Sequence, residues 1–154
     1  MSLLKAVLKH DVFPALGCTE PIAVAYAASF AGRQLGGALT EVRITVDPGV
    51  YKNGFAVSVP NTGGQRGNLI AGVLGALIRQ PELKMELLRG VSEDLRRRAR
   101  ELIDRGRASL RCERSWKGIH IDVAVAAGEE TARAVIQGSH TNLVRLQHRE
   151  QDLL

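Results

Sequence analysis

Two periodicities run along the chain, and each marks a different kind of element. Between Glu41 and Val46 the apolar residues Val42, Ile44 and Val46 alternate with Arg43 and Thr45. That two-residue period is the mark of a half-buried strand. Ser109 to Arg114 alternates in the same way, as do Ile119, Ile121, Val123 and Val125. Thr131 to Gln137 and Asn142 to Gln147 read as further strands, and Gly128-Glu129-Glu130 is a hairpin turn between two of them. The helical period is clearest from Ser92 to Arg105. Leu88, Val91, Leu95, Ala99 and Leu102 fall on one face there. Opposite charges stand four apart in Glu93/Arg97, Asp94/Arg98, Arg97/Glu101 and Glu101/Arg105, so the Arg run reads as a solvated, ion-paired face ended by Gly106.

Two more segments predict helices built from small residues. Thr19 is placed to cap the first, with Pro21 in its opening turn. It continues from Ile22 to Leu35 and stops at Gly36-Gly37. The second runs from Asn68 to Ile78. Ala and Gly side chains let neighbours approach closely, so the first of these helices is expected at the centre of the fold. Leu3 to Leu8 reads as a short helix halted at Phe13-Pro14. Asp47-Pro48-Gly49 and Tyr51-Lys52-Asn53-Gly54 read as turns, followed by a strand from Phe55 to Val59 and a polar loop from Pro60 to Gly67. Pro81-Glu82 opens another helical region. The sum is α+β, a mixed or antiparallel sheet packed against Ala/Gly-rich helices with a C-terminal β-meander. The 154 residues fit one domain, 1–154.

Composition narrows the picture little. Aromatics make up 4% of the chain, so the core must come from Ala, Val, Leu and Ile. The net charge of +5 raises nucleic acid as a partner. The excess lies in an ion-paired Arg run with Trp116 as its lone aromatic, which argues against it. Cys18 and Cys112 are too few for a secreted disulfide scaffold and point to a reducing, cytoplasmic setting. No apolar run is long enough to span a bilayer.

Four constellations carry candidate chemistry. In Gly17-Cys18-Thr19-Glu20-Pro21 a cysteine stands at a helix start, where the helix dipole favours thiolate. Such a thiolate is a nucleophile, a metal ligand or a base, and Glu20 is its carboxylate partner. From spacing alone, a lone cysteine is more often a small buried apolar residue. Asn61-Thr62-Gly63-Gly64-Gln65-Arg66-Gly67-Asn68 is a glycine-rich loop before a helix, which suits an anion or is simply flexible. Lys52 and Asn53 are able to hydrogen-bond a small polar ligand, though Asn-Gly is also a plain turn. Ser139-His140-Thr141-Asn142 offers a titratable ring among polar side chains, and is also ordinary turn chemistry. The histidines and cysteines show no metal-ligand spacing.

In order, Pro14-Ala-Leu-Gly-Cys-Thr-Glu-Pro21, Lys52-Asn-Gly54, Val59-Pro-Asn-Thr-Gly63, Ile70-Ala-Gly-Val-Leu-Gly-Ala-Leu77 and Gly138-Ser-His-Thr-Asn142 resemble the L-cysteine desulfidase family, which is related to L-serine dehydratase alpha chains. The resemblance covers nearly the whole chain. It implies the N-terminal domain or split subunit of a lyase that turns L-cysteine into pyruvate, ammonia and sulfide, or alternatively L-serine into pyruvate and ammonia. A 4Fe–4S cluster, without pyridoxal phosphate, would be the cofactor. Cys18 would be a cluster-proximal residue, either ligand or base, with Glu20 and His140 also catalytic. Thr19, Lys52, Asn53, Thr62, Gly63, Asn68, Thr141 and Asn142 would line the pocket for a small amino-acid substrate. Two departures qualify this. Members of the family are longer and carry their other cluster cysteines in a C-terminal part, so a C-terminal cluster-binding domain or partner chain is expected, within a homo-oligomer. Asn61 also stands where glycine is common. The resemblance therefore implies a chain inactive by itself. A non-catalytic small-molecule-binding or assembly domain is the alternative.

Overall fold

The computed structural model describes residues 19–55 and 67–154. It is α+β. Four α-helices accompany a six-stranded mixed sheet: α1 (Thr19–Arg33), β1 (Glu41–Val46), α2 (Pro48–Phe55), α3 (Asn68–Ile78), α4 (Glu93–Asp104), β2 (Ala108–Cys112), β3 (His120–Ala127), β4 (Glu130–Gln137), β5 (Leu143–His148) and β6 (Gln151–Asp152). A 3₁₀ segment, Pro81–Glu86, precedes α4. The strand order is β2-β1-β3-β4-β5-β6. Among the described residues only β1 and β2 run parallel; every other pair is antiparallel. A parallel pair needs a long crossover, and the helical stretch between β1 and β2 supplies it. The C-terminal meander expected from the alternating patterns is present, with the short β6 added at its edge.

The core lies between the helices and one face of the sheet. Val42, Ile44 and Val46 of β1, Ile121, Val123 and Val125 of β3, and Ala134 and Ile136 of β4 are all buried. Above them α1 is closed to solvent all round, from Ile22 through Ala28 and again at Ala31. A helix with no polar face belongs at the centre, and α1 packs on β3 and β4 on one side and on α3 on another. The small residues explain how. A Cβ on Gly32 would run into the Ala76 carbonyl, and one on Gly75 into the Ala25 carbonyl. The two helices therefore touch backbone to backbone. Ser29, buried in α1, donates its hydroxyl to the Tyr26 carbonyl at 2.7 Å, so it brings no unpaired polar group into the core.

Several expectations need correction. Asp47-Pro48-Gly49 is not a turn, and Tyr51 to Gly54 is not a hairpin; both belong to the start and body of α2. Asp47 caps that helix: its Oδ2 accepts from the Gly49 N–H at 2.9 Å and the Val50 N–H at 3.2 Å, with Pro48 at the first helical position. The pattern Asp-Pro serves a helix start as well as a turn. Phe55 ends α2 rather than opening a strand, and 56–59 lie outside the described residues, as does the helix expected from Leu3 to Leu8. On α4 the ion pairs include Glu93–Arg96 and Asp94–Arg97, three apart rather than four. Ser92 caps α4 by accepting from the Leu95 N–H at 3.1 Å.

Candidate functional site

One carboxylate fixes the geometry of the sheet end where the candidate residues meet. Asp47 is buried at the end of β1. Besides capping α2, it accepts from the His120 N–H through Oδ1 at 2.8 Å, and its own N–H donates to the His120 carbonyl at 3.0 Å. One side chain thus joins β1, α2 and the start of β3. This anchors the start of α2 at the end of β1 and puts Asn53 beside an open groove of about 430 Å³. Glu20, Pro48, Asn53, Trp116, Gly118 and Ile119 line the groove along with the Asp47 cap. Trp116 is a flat wall, stacked on the His120 ring with centroids 3.6 Å apart and planes 7° from parallel.

Glu20 stands in the first turn of α1 and His140 in the loop between β4 and β5. The fold brings them together across 120 positions of sequence, with His140 Nε2 and Glu20 Oε2 3.0 Å apart. Both side chains are mostly shielded, at 26% and 14% exposure. The carboxylate accepts and the ring nitrogen donates. Glu20 lines the groove, while His140 stands behind it and orients its carboxylate. The loop that carries His140 is held by one backbone and one side-chain hydrogen bond. The Gly138 N–H donates to the Ile119 carbonyl at 2.9 Å, and the Asn142 amide donates to the Gln137 carbonyl at 2.9 Å. Gly138 has φ 91°, the left-handed region that favours glycine.

Of the residues expected from sequence, Glu20, His140 and Asn53 come together at this groove. Lys52 is exposed on α2 and does not line it. Thr141 is half-buried in the loop, and the Asn142 side chain is used in closing that loop rather than facing a ligand. Asn68 is fully buried at the start of α3, where its Nδ2 donates to the Val50 carbonyl at 3.1 Å. Among the described residues nothing donates to its Oδ1, which lies against Gly54 where a Cβ would collide with it. Thr19 opens α1. Cys18, Thr62 and Gly63 lie outside the described residues. Asp47 and Trp116 were not expected at the site. The capping sense of Asp-Pro-Gly was the available signal for the first; Trp116, in a polar turn, offered none beyond its being the lone tryptophan.

A 4Fe–4S cluster is usually held by four thiolates, and the chain has two cysteines. Cys112 is a half-buried free thiol at the end of β2. Among the described residues no group of three or more His, Cys, Asp or Glu is placed to hold a metal ion. The described residues do not fit such a cluster, and no chemistry is derived through one. Among those residues no helix is long and apolar enough to cross a membrane.

Comparison with known proteins corrects the family. The chain is 56% identical over 147 residues to a UPF0597 protein of Geobacter sulfurreducens, a match covering 96% of this chain and 34% of that relative. It is 44% identical over 146 residues to one from Elusimicrobium minutum, covering 95% and 34%. It is 40% identical over 143 residues to one from Kosmotoga olearia, covering 92% and 34%. The chain spans about a third of the length of these curated relatives. No family model and no solved structure matches it. These relatives carry the name UPF0597, not that of a desulfidase or serine dehydratase. The resemblance to the L-cysteine desulfidase family is thereby overturned, together with the activity drawn from it.

Proposed function

We propose that this chain forms one wall of a site that binds a small polar molecule and exchanges a proton with it through Glu20. The observation that carries the reading is the Glu20–His140 hydrogen bond at the edge of the groove. A carboxylate shielded from bulk water and held by an imidazole is an arrangement suited to general acid–base chemistry. Glu20 is the group that faces the ligand. His140 is a positioning residue that supplies the hydrogen bond behind it. Asn53 supplies hydrogen bonding to the ligand, and Trp116 an apolar surface for it to lie on. Proton removal by a carboxylate opens an elimination in which the C–H electron pair becomes the new double bond and a substituent on the neighbouring carbon leaves with its bonding pair. We therefore read the reaction class as that of a lyase, with the residues that assist the leaving group supplied from outside this chain. The free thiol of Cys112 suits a cytoplasmic setting.

The test pairs binding with proton exchange. A panel of small amino and hydroxy acids is screened by saturation-transfer NMR, and each ligand found is incubated in deuterium oxide to follow exchange of its carbon-bound protons. Glu20→Gln is expected to abolish exchange while leaving binding within a few-fold. His140→Gln is expected to keep binding and shift the pH profile of exchange. Binding with no exchange in the full-length protein would favour a non-catalytic binding module. Binding that Asn53→Ala and Trp116→Ala leave untouched would remove the groove from consideration.

A further inference from the structure

The outward face of the sheet, opposite the core, carries a different chemistry. Its register places Arg43, Ala124, Arg133 and Gln147 in one row across β1, β3, β4 and β5. Adjacent strands lie about 4.8 Å apart, so the two arginines start about 10 Å from each other with only the Ala124 methyl between them. The neighbouring row holds Ala126 and Thr131, also small. Arg149 closes that end, its N–H donating to the Thr131 carbonyl at 2.8 Å. Long side chains around an alanine floor leave a dent of about 240 Å³.

The dent is rich in donors. Its lining includes three guanidinium groups, the Thr131 hydroxyl and the Gln147 amide, against the single carboxylate of Glu41. Two of the guanidiniums are held in place from the side. Arg43 Nε donates to Glu41 Oε2 at 2.6 Å. Arg133 grips the largely buried Asp122 with both Nε, at 2.9 Å, and Nη2. A guanidinium carries five N–H donors, so each pair leaves donors over, on Nη1 and Nη2 of Arg43 and on Nη1 of Arg133. Arg149 makes no ion pair within 4 Å among the described residues. Guanidiniums held in this way are suited to a multidentate oxyanion, because little side-chain freedom is lost on binding. Trp116 and His120 are stacked on each other and do not line the dent, so it lacks the stacking platform that a nucleic-acid strand would use. None of its lining residues belongs to the Glu20 groove.

We propose that this dent is a second binding site, one that takes a phosphoryl group, either free phosphate or the phosphate of a small monoester. The experiment is isothermal titration calorimetry with inorganic phosphate at constant ionic strength. Glycerol phosphate, acetate and a short single-stranded oligonucleotide serve as parallel arms. Saturable one-to-one binding of phosphate is expected, and Arg43→Gln with Arg149→Gln is expected to weaken it about tenfold or more. Both side chains are exposed, and thermal melts are expected to show the fold intact. Arg97→Gln on the ion-paired face of α4 is expected to leave binding unchanged. Tighter binding of glycerol phosphate than of inorganic phosphate would identify a monoester as the source; equal or weaker binding would identify the free ion. The proposal is overturned by absent or non-saturable phosphate binding, by equal binding of acetate, by tighter binding of the oligonucleotide, or by unchanged affinity in the double variant.

Discussion

The crossing of α1 with α3 and the seam at Asp47 are both buried, yet they are held by opposite means. At the crossing, glycine meets carbonyl, and the constraint is size: nothing larger than hydrogen fits at Gly32 or Gly75. At the seam, one carboxylate receives three backbone N–H groups from two different elements, and the constraint is direction. The first region tolerates no added atom, and the second no lost acceptor. The crossing places α1, and so Glu20. The seam places α2, and so Asn53. The groove exists because a steric joint and a polar joint agree on where two helix ends meet.

The sharpest way to break this contrast is to overfill the crossing. Gly75→Val puts a branched Cβ into the Ala25 carbonyl and is expected to lower stability by about 3 kcal/mol, read from urea denaturation. A variant that melts like the parent would show that the helices separate easily. The next largest effect is at the polar joint. Asp47→Ala removes a helix cap and leaves the partly buried His120 N–H without its acceptor, an expected loss of about 2 kcal/mol by the same measurement. Asp47→Asn keeps an acceptor oxygen and is expected to recover part of the loss. Equal losses for the two variants would remove hydrogen-bond direction as the cause.

A smaller, pH-dependent effect belongs to a third joint. Glu130 accepts from His148 Nε2 at 2.6 Å and from the Gly36 N–H at 2.8 Å, and these bonds, the histidine's first, hold its carboxyl below the usual carboxylate range. A lowered folded pKa stabilises the fold above the unfolded value, about 4.3. That contribution fades as pH falls through the lower folded value. Thermal melts are expected to show the parent more stable than Glu130→Gln near neutrality, with the gap closing below about pH 4. A gap that stays constant from neutral to acid pH would show that ionisation of Glu130 contributes nothing.

Most of the fold was legible in the sequence because its elements follow one period each. β1 and α3 coincide with the ranges read from Glu41 to Val46 and from Asn68 to Ile78. The buried, small-residue character of α1 announced a central helix. The segment after β1 was misread because Asp-Pro-Gly favours both a tight turn and a capped helix start. In the fold the same carboxylate also accepts from the His120 N–H, which lies 73 positions away and is invisible in local sequence. The site was legible only in part. Glu20 and His140 were each a titratable residue near a turn; local pattern did not link them, and only a family resemblance, since overturned, had assigned both to one site.

Local patterning determined which stretches became helix and strand, which faces turned inward, and that one all-apolar helix had to be surrounded. These properties depend on neighbours three or four residues apart in a helix and two apart in a strand, so they are written along the chain. Tertiary structure alone decided that β1 would pair parallel with β2, that Asp47 would join three elements, and that His140 would stand behind Glu20. It also gathered Arg43, Arg133 and Arg149 from three places in the chain around one alanine floor. Such contacts require distant segments to be ordered together, and the packed core is what repays the entropy of doing so.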